Sequence, residues 1–308
     1  MKKLFEQTVD VIEREFYESH FLAKRWSTIK NTHAQQYGQA GSVEEKETVI
    51  KSLLESLGVS HSMLINPQLA EYIVQEEEKS GESLILKMQE DILFAHVLSF
   101  QVRGMRGEAV HRLAELASTA SAVVLDLRLN SGGSGSAVVE LASLFLSPET
   151  PVLQMRDRLW QEQKKPYIIY KLPKDENIDH ALDVGLAHQH HWVEYRTIDS
   201  PYKIGRDKPL IVLTDEQCYS CGEIFVQCMK EHSWATIVGQ KTAGFVVAAE
   251  QHELDEGYSV LVPFAEMLSG KGKTLEGTGV EPDFEVDLSE ATNEQIIEKL
   301  QELKLLTK

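Results

Sequence analysis

The sequence has few cysteines, no long apolar run and no segment with the pattern of a signal peptide. All three cysteines lie between positions 218 and 228, which excludes the disulfide framework of a small secreted domain. No stretch approaches the length of about 18 uncharged apolar residues, so we expect no membrane span. The opening residues MKKLFEQTVDVIEREF carry two lysines, but acidic side chains interrupt any apolar core. A cytoplasmic location is the expectation.

Positive charge is also scarce. Acidic residues outnumber basic ones by 48 to 31, which gives a formal net charge of −17 at pH 7. A general nucleic-acid binder needs clustered lysine and arginine to neutralise phosphates, so the composition argues against that class. Hydrophobic residues make up 42% of the chain and charged residues 26%, which is typical of a globular protein. The 308 residues are enough for one large domain and a smaller one.

Helical periodicity dominates the beginning of the chain and predicts a helical N-terminal domain over residues 1–82. The stretch SVEEKETVIKSLLESLG begins with a capping box, Ser42 and Glu45, and ends at Gly58. Residues 83–308 alternate between strands and helices instead. The apolar runs SAVVLDLRL and PLIVLTD predict buried strands, and a helical pattern follows each of them. This alternation predicts an α/β domain with helices packed on a sheet, ending in an amphipathic C-terminal helix.

Two adjacent glycines follow the first of these strands, in Asn130-Ser131-Gly132-Gly133. Glycine lets the backbone present unshielded amides, and amides at a helix start suit an oxyanion or a phosphate. The Gly-Lys-Ser/Thr ending of a phosphate-binding loop is absent. A tight turn between strand and helix would explain the same residues, so the motif alone leaves both interpretations open.

A serine stands at the second strand-to-helix junction, in LTDEQCYSCGEIF. The dipole of the predicted helix and the amide of Cys221 would favour negative charge at Ser220, as a nucleophile requires. Serine is equally a good N-cap, and Glu223 three residues later completes a capping box. Taken alone, this stretch is explained as well by a helix cap as by a nucleophile.

Two cysteines surround that serine as a C-x-x-C, Cys218 and Cys221. Zinc would need two further ligands, and the remaining candidates are Cys228 and the histidines of AHQHHW, which are His188, His190 and His191. We interpret the thiols as small buried apolar groups and the histidines as a solvated polar loop. No metal or cofactor is therefore expected.

A lone histidine, His96, lies in the apolar stretch DILFAHVLSF. Such a residue is usually part of the core, but a serine nucleophile needs a base and the base needs an orienting acid. The stretch TLEGTGVEPDFEV supplies Glu276 and Asp283. Ser220, His96 and a carboxylate are together the inventory of a serine hydrolase.

Four stretches, in order, resemble the family of tricorn and carboxy-terminal-processing serine proteases. VVLDLRLNSGG is similar to the family's D-L-R-x-N-x-G-G turn, and LTDEQCYSCGEIF with ATIVGQKTAGF is similar to its nucleophile region. LEGTGVEPD is similar to the closing E-G-x-G-V-x-P-D. LLESLGVSHSML resembles an L-x-D-x-H-T segment, with Val59 in place of the aspartate. The interval between SHSML and LFAHV is too short for the family's inserted PDZ domain.

The resemblance implies a Clp-protease/crotonase-like ββα spiral core and hydrolysis of peptide bonds through an acyl-enzyme. Ser220 is the implied nucleophile, and the amides of Cys221 and of Gly132 or Gly133 form the implied oxyanion hole. The substrate would be a peptide or an unfolded protein, held along a sheet edge near the glycine turn. Residues 154–206 and the helical N-terminal domain are candidates for covering the cleft.

The identity of the general base depends on which branch of the family the chain resembles. Phe245 stands where the carboxy-terminal-processing branch has a lysine, so a serine–lysine dyad is not expected. LFAHVLSF looks like the histidine stretch of the tricorn-like branch, which implies His96 as base and Glu276 as its orienting acid. Ala95 replaces the serine that precedes tricorn's histidine, so Glu276 is expected to reach His96 directly or through water.

Two other functions are compatible with the same fold. A catalytically inactive binding module, similar to retinoid-binding repeats, would have an apolar cavity and a serine that fluorophosphonates do not label. A crotonase-like acyl-thioester enzyme would bind coenzyme A, but the closing EGTGVEPD argues against it. The sequence leaves open whether several copies assemble into a homo-oligomer.

Overall fold

The computed structural model describes residues 3–79, 82–101, 107–163, 168–170, 185 and 188–306. The helices in these residues are α1 Leu4–Glu15, α2 Ser19–Phe21, α3 Ser27–Gln39, α4 Val43–Glu55, α5 Pro67–Lys79, α6 Glu108–Thr119, α7 Gly135–Ala142, α8 Arg158–Gln163, α9 Cys221–Glu231 and α10 Asn293–Glu302, with a π-helical segment Leu22–Trp26 before α3 and a 3-10 turn Asp255–Gly257. The strands are β1 Met63–Ile65, β2 Leu84–Gln89, β3 Ile92–Val97, β4 Ala122–Asp126, β5 Pro151–Asp157, β6 Ile168–Tyr170, β7 Trp192–Arg196, β8 Leu210–Thr214, β9 Thr236–Gly239, β10 Val247–Glu253, β11 Ser259–Ser269 and β12 Phe284–Glu285. None of the helices in the described ranges is long and apolar enough to cross a membrane.

The beginning of the chain is mainly helical, as its periodicity predicts. At the start of α4 the Glu45 amide donates to the Ser42 hydroxyl, and the Ser42 amide donates to the Glu45 carboxylate. This reciprocal pair confirms the predicted capping box. Gly58, with a φ of 72°, ends the turn after α4 and leads the chain towards β1.

The N-terminal helices share their core with strands from the far end of the chain. Apolar side chains of α1 and α4 pack with Tyr258, Val260 and Val262 on and beside β11. β1 also pairs with β11, in antiparallel register. A continuous core therefore crosses position 82, and the division into domains at that position stays a prediction from the sequence.

One sheet has the order β12-β9-β8-β4-β3-β2 and is parallel except for the β2–β3 hairpin. β4 and β8 are buried at every residue, as their continuous apolar sequences predict. Because neighbouring parallel strands end at the same edge, the glycine turn after β4 and Ser220 after β8 meet there. This edge carries the candidate site.

The two faces of this sheet pack against different helices. Helices α6, α7 and α9 cover the face that carries Leu93, Ala95 and Val97 of β3. The C-terminal helix α10 covers the opposite face, which carries Ile92 and Phe94. The alternation of side chains along β3 therefore decides which of its residues can approach α9.

A second sheet has the order β1-β11-β5-β7-β6, with β10 paired to β11. Three of its strands, β5 to β7, fall within residues 151–196, where the sequence gives no clear periodic pattern. Residues 164–167, 171–184 and 186–187 lie outside the described ranges. The idea that residues 154–206 cover the cleft therefore stays a prediction.

Candidate active site

Ser220 lies in a tight turn between β8 and α9 and is half-buried. Its φ is 53° and its ψ is −118°, a backbone conformation that costs a residue other than glycine about 1–3 kcal/mol. The Ser220 amide donates to the Phe245 carbonyl at 3.0 Å and to Glu223 Oε1 at 3.2 Å. The preceding amide, of Tyr219, donates to the Asn130 carbonyl at 2.9 Å. These contacts hold the strained turn from both sides.

The glycine turn lies directly against the serine side chain. A Cβ at Gly132 would lie 2.8 Å from Ser220 Cβ and 3.3 Å from Ser220 Oγ, and Gly132 has a φ of 81°. A side chain at position 132 would therefore both clash and force a strained backbone. The two strand ends thus lie in close contact, as the oxyanion hole implied by the resemblance requires.

Only one of the two glycine amides remains available for an oxyanion. The Gly132 amide donates to Asn130 Oδ1 at 2.9 Å. The Gly133 amide makes no hydrogen bond to another residue in the described part of the chain. Cys221 Sγ lies 3.1 Å from the Gly133 carbonyl and packs the glycine turn onto α9. The geometry therefore favours Gly133 over Gly132 as the partner of Cys221.

The thiols fit the interpretation as small buried groups. Cys218, Cys221 and Cys228 form no disulfide among the described residues and are at most 1% exposed. Burial raises the pKa of Cys218 and of Cys228, so both thiols stay neutral. Within the described residues, no group of three His, Cys, Asp or Glu side chains could hold a metal ion.

The histidines of AHQHHW are not simply a solvated loop. His188 Nε2 lies 3.1 Å from Glu250 Oε2, and its ring stacks on Phe264. His191 Nδ1 lies 2.7 Å from Asp157 Oδ2, and its side chain is only 17% exposed. The expectation of solvated side chains is therefore wrong for His191.

Phe245 is half-exposed and stacks on Tyr219 with ring centroids 5.7 Å apart. It occupies the position at which the carboxy-terminal-processing branch has a lysine base. An aromatic ring cannot accept a proton from Ser220. The geometry agrees with the expectation that no serine–lysine dyad forms.

The structure does not bring His96 to Ser220 or to Glu276. In the parallel pairing of β3 with β4, His96 lies opposite Asp126, and His96 Nδ1 is 3.1 Å from Asp126 Oδ2. His96 shares the Phe94 face of β3, which packs towards α10, whereas α9 covers the opposite face. The geometry expected for His96 is therefore corrected, because the sheet itself stands between this imidazole and the helix that begins at Ser220.

His96 instead belongs to a polar network at the end of β3 and β4. Arg128 Nη2 lies 2.6 Å from Asp126 Oδ2, and Arg128 also donates to the carbonyls of Leu288 and Ala291. Burial alone would raise the pKa of Asp126, but hydrogen bonds from Arg128 and His96 lower it to about 2. The network ties the segment before α10 to the sheet.

Glu276 contacts a different part of the chain, the segment just before β1. Its Oε1 accepts the Ser60 amide at 2.6 Å, and its Oε2 accepts the Ser60 hydroxyl at 2.9 Å. Ser60 Oγ in turn lies 2.8 Å from His61 Nδ1. Glu276, Ser60 and His61 thus form a continuous chain of hydrogen bonds, with Ser60 between the carboxylate and the imidazole.

These contacts determine which ring nitrogen of His61 carries the proton. The Ser60 hydroxyl donates to Glu276, so its oxygen is left as an acceptor towards His61. Nδ1 must then be protonated, and the lone pair of the neutral ring lies on Nε2. Burial lowers the pKa of His61, while the Glu276 carboxylate opposes that effect. A neutral imidazole with a free Nε2 is what a general base requires.

A single peptide unit connects this chain of hydrogen bonds to the nucleophile turn. The Val246 amide donates to Glu276 Oε2 at 2.6 Å. The carbonyl of the same peptide unit, that of Phe245, accepts the Ser220 amide at 3.0 Å. The Glu276 oxygen and the Ser220 nitrogen are consequently no more than about 8 Å apart. This chain of hydrogen bonds therefore reaches the segment that holds the nucleophile turn, although Ser60, His61 and Ser220 are distant in sequence.

Sequence reasoning missed Ser60 and His61 as site residues, although the signal was present in GVSHSML. The resemblance instead places the serine and histidine of the tricorn-like branch at Ala95 and His96, within a regular strand. His61 instead has a φ of 56° and follows a turn, so it carries no strand or helix periodicity. It reaches Glu276 only because β1 pairs with β11 and brings the segment there.

The parallel sheet with helices on both faces, and the glycine turn against the residue that begins α9, agree with the Clp-protease/crotonase-like core that the resemblance implies. The model of one family, described as peptidase family S41, matches residues 91–286. The chain therefore belongs to peptidase family S41.

The relatives agree with that family. The carboxyl-terminal-processing peptidase 1, chloroplastic, of Arabidopsis thaliana is 27% identical over 165 residues, which are 54% of this chain and 27% of that protein. This chain thus matches about a quarter of that relative's length. The solved photosystem II D1 C-terminal processing protease is 13% identical with a TM-score of 0.60 and 92% of both chains covered. Tricorn protease is 14% identical with a TM-score of 0.60, covering 98% of this chain and 36% of that one. These structural likenesses concern the fold alone.

Proposed function

We propose that this chain is a serine peptidase that hydrolyses peptide bonds through an acyl-enzyme, with Ser220 as the nucleophile. His61, in place of the expected His96, is the general base, and Glu276 orients it through Ser60. The observation that carries this proposal is the position of Ser60 Oγ between Glu276 and His61 Nδ1, which leaves His61 Nε2 to accept a proton.

In the first half of the reaction Ser220 Oγ attacks the carbonyl carbon of the scissile bond while His61 Nε2 takes the hydroxyl proton. The imidazolium then donates that proton to the leaving amine, and the C–N bond breaks. In the second half His61 removes a proton from water, which attacks the ester carbon. The acid product leaves, and Ser220 regains its proton from the imidazolium. Glu276, through Ser60, stabilises the positive ring each time it forms.

The backbone amides of Gly133 and Cys221 are proposed to bind the oxyanion of each tetrahedral intermediate. Both flank Ser220, one across the glycine turn and one at the start of α9, where the helix dipole also favours negative charge. Each such donor is worth on the order of 3 kcal/mol in the transition state. Asn130 supports this arrangement because it occupies the Gly132 amide and leaves Gly133 as the donor.

The proposed substrate is a peptide or an unfolded segment of a protein. Cleavage near a carboxyl terminus is the narrower hypothesis, which the name of the Arabidopsis relative supports. An extended substrate near the glycine turn would present its carbonyl to Gly133 and Cys221 while Ser220 approaches from α9.

Hydrolysis of an unfolded, fluorophore-labelled protein by the wild-type chain and by Ser220→Ala tests the proposal. We expect the substitution to reduce hydrolysis to the background rate, with the unfolding temperature preserved. Full hydrolysis by Ser220→Ala would contradict the proposal. Saturable binding of the same protein without any hydrolysis by the wild-type chain would favour the inactive binding module instead.

A further inference from the structure

Glu223 lies one helical turn after Ser220 in α9, and its residue is 0% exposed. Carboxylates are rarely buried this completely unless their oxygens are fully paired. The proposed chemistry assigns Glu223 no proton transfer and no contact with substrate. Its burial beside the nucleophile therefore needs a separate explanation.

The two oxygens of Glu223 collect four hydrogen-bond donors. Oε2 accepts the Thr242 hydroxyl at 2.5 Å and the Gly244 amide at 2.7 Å. Oε1 accepts the Phe245 amide at 2.8 Å and the Ser220 amide at 3.2 Å. The donors come from two segments, the nucleophile turn and residues 242–245, so the carboxylate joins these segments.

Only an ionised carboxylate can satisfy all four donors. Three of the partners are backbone amides, which cannot accept a hydrogen bond at nitrogen. The Thr242 hydroxyl accepts the Val280 amide at 2.7 Å, and its own proton points to Glu223. A glutamine in place of Glu223 would set its NH₂ group against at least one N–H donor. Replacing the carboxylate by an amide of the same shape must therefore displace one of the two segments.

The segment held by Glu223 is the same one that reaches Glu276. Glu223 accepts the amides of Gly244 and Phe245, and Glu276 accepts the next amide, that of Val246. Three consecutive amides thus bind two carboxylates. The Phe245 carbonyl between them holds the Ser220 amide.

We propose that Glu223 is a positioning residue for the hydrolysis. Its carboxylate fixes residues 244–246 against the nucleophile turn and so sets the position of Ser220 relative to Ser60, His61 and Glu276. This inference rests on the proposed function, because it concerns the alignment of that nucleophile with that base. A displacement of about 1 Å between such groups can lower a rate by about 100-fold.

The test is Glu223→Gln, which keeps the shape of the side chain and removes its charge. We expect kcat to fall by about 10- to 100-fold while KM stays within about twofold. The rate of fluorophosphonate labelling of Ser220 should fall by the same factor. The matched control is Glu231→Gln at the other end of α9, an equally isosteric change at a half-buried glutamate that accepts hydrogen bonds from Gln227 and Ser269. The control should keep the wild-type kcat.

Several outcomes would overturn the inference. The first is a wild-type kcat in Glu223→Gln, measured per folded molecule. Glu223 would then contribute to stability alone, even if the unfolding temperature of the variant were lower. If Glu223→Gln does not fold, Glu223→Asp keeps the charge but shortens its reach by one methylene. The same selective loss of kcat is expected there, and a wild-type kcat would refute the inference. Activity in Ser220→Ala would instead refute the proposed function itself.

Discussion

Replacing Ser60 by alanine removes the bridge between Glu276 and His61 without touching either of them. The variant loses the hydroxyl that donates to Glu276 at 2.9 Å and accepts from His61 Nδ1 at 2.8 Å. Glu276 keeps its bonds to the Ser60 and Val246 amides, so the carboxylate should stay in place. The damage should fall on the imidazole, because neither its tautomer nor its positive charge is then supported.

The size of the effect follows from the kind of hydrogen bond that is lost. A hydrogen bond to a charged group contributes about 1.5–3 kcal/mol, which corresponds to a kcat lower by roughly 10- to 150-fold if the bond acts in the transition state. Steady-state hydrolysis of an unfolded protein measures kcat and KM separately, and KM should hardly change. The matched control is Ser62→Ala, two residues away, whose hydroxyl lies 3.4 Å from the Ser60 carbonyl. A wild-type kcat in Ser60→Ala would refute the proposed hydrogen-bond relay.

The remaining predictions concern packing and pH. Gly132→Ala and Gly272→Ala impose a side chain at nearly the same φ, 81° and 80°, but only the Cβ at Gly132 meets other atoms. The free energy of unfolding should fall by about 1–2 kcal/mol in both variants, because alanine disfavours this left-handed backbone conformation. Calorimetry should find a larger fall for Gly132→Ala, and only that variant should lose hydrolysis. Burial lowers the pKa of His61, so its neutral form persists below the ordinary titration range of histidine. The acid limb of the kcat/KM profile should therefore lie below pH 6.5, and an acid limb above that value would contradict the burial argument. The pKa of Asp126 falls from 3.8 to about 2 on folding, so its ionised form contributes about 2 kcal/mol of stability above pH 4 that is lost as the pH falls towards 2. Asp126→Asn should abolish this acid-dependent loss in urea titrations, and an unchanged slope would contradict the network.

The α/β class and both strand-end motifs could be predicted from the sequence, because each has a local cause. β4 and β8 are continuous apolar runs, and the glycines and the serine that follow them mark the turns that those strands must make. The meeting of the Gly132 turn with Ser220 depends in addition on the parallel pairing of β4 with β8, which the local patterns do not predict. The stretch TLEGTGVEPDFEV offers both Glu276 and Asp283 as the acid, and only the resemblance to the tricorn-like branch selects Glu276.

The proposed base differs from the one that the sequence predicts, because its position depends on pairing between distant segments. His96 has the same parity as Phe94 along β3, so both face α10, but the sequence does not reveal which face α9 covers. Ser60 and His61 reach Glu276 only because β1 pairs with β11, nearly 200 residues later. β11 itself escaped prediction because it is buried on both sides along most of its length and shows no alternation. Long-range pairing of this kind leaves no periodic trace in either segment.

The central claim is that His61, and not His96, activates Ser220, and fluorophosphonate labelling tests it most directly. His61→Asn is the suitable variant, because asparagine tolerates the φ of 56° at this position while removing the base. His96→Ala is its control, with the labelled residue located by mass spectrometry. We predict that Ser220 is labelled, that His61→Asn slows labelling by about 100-fold or more, and that His96→Ala labels at the wild-type rate. Slow labelling in His96→Ala with a wild-type rate in His61→Asn, or no labelling of Ser220 in the wild-type chain, would contradict the account.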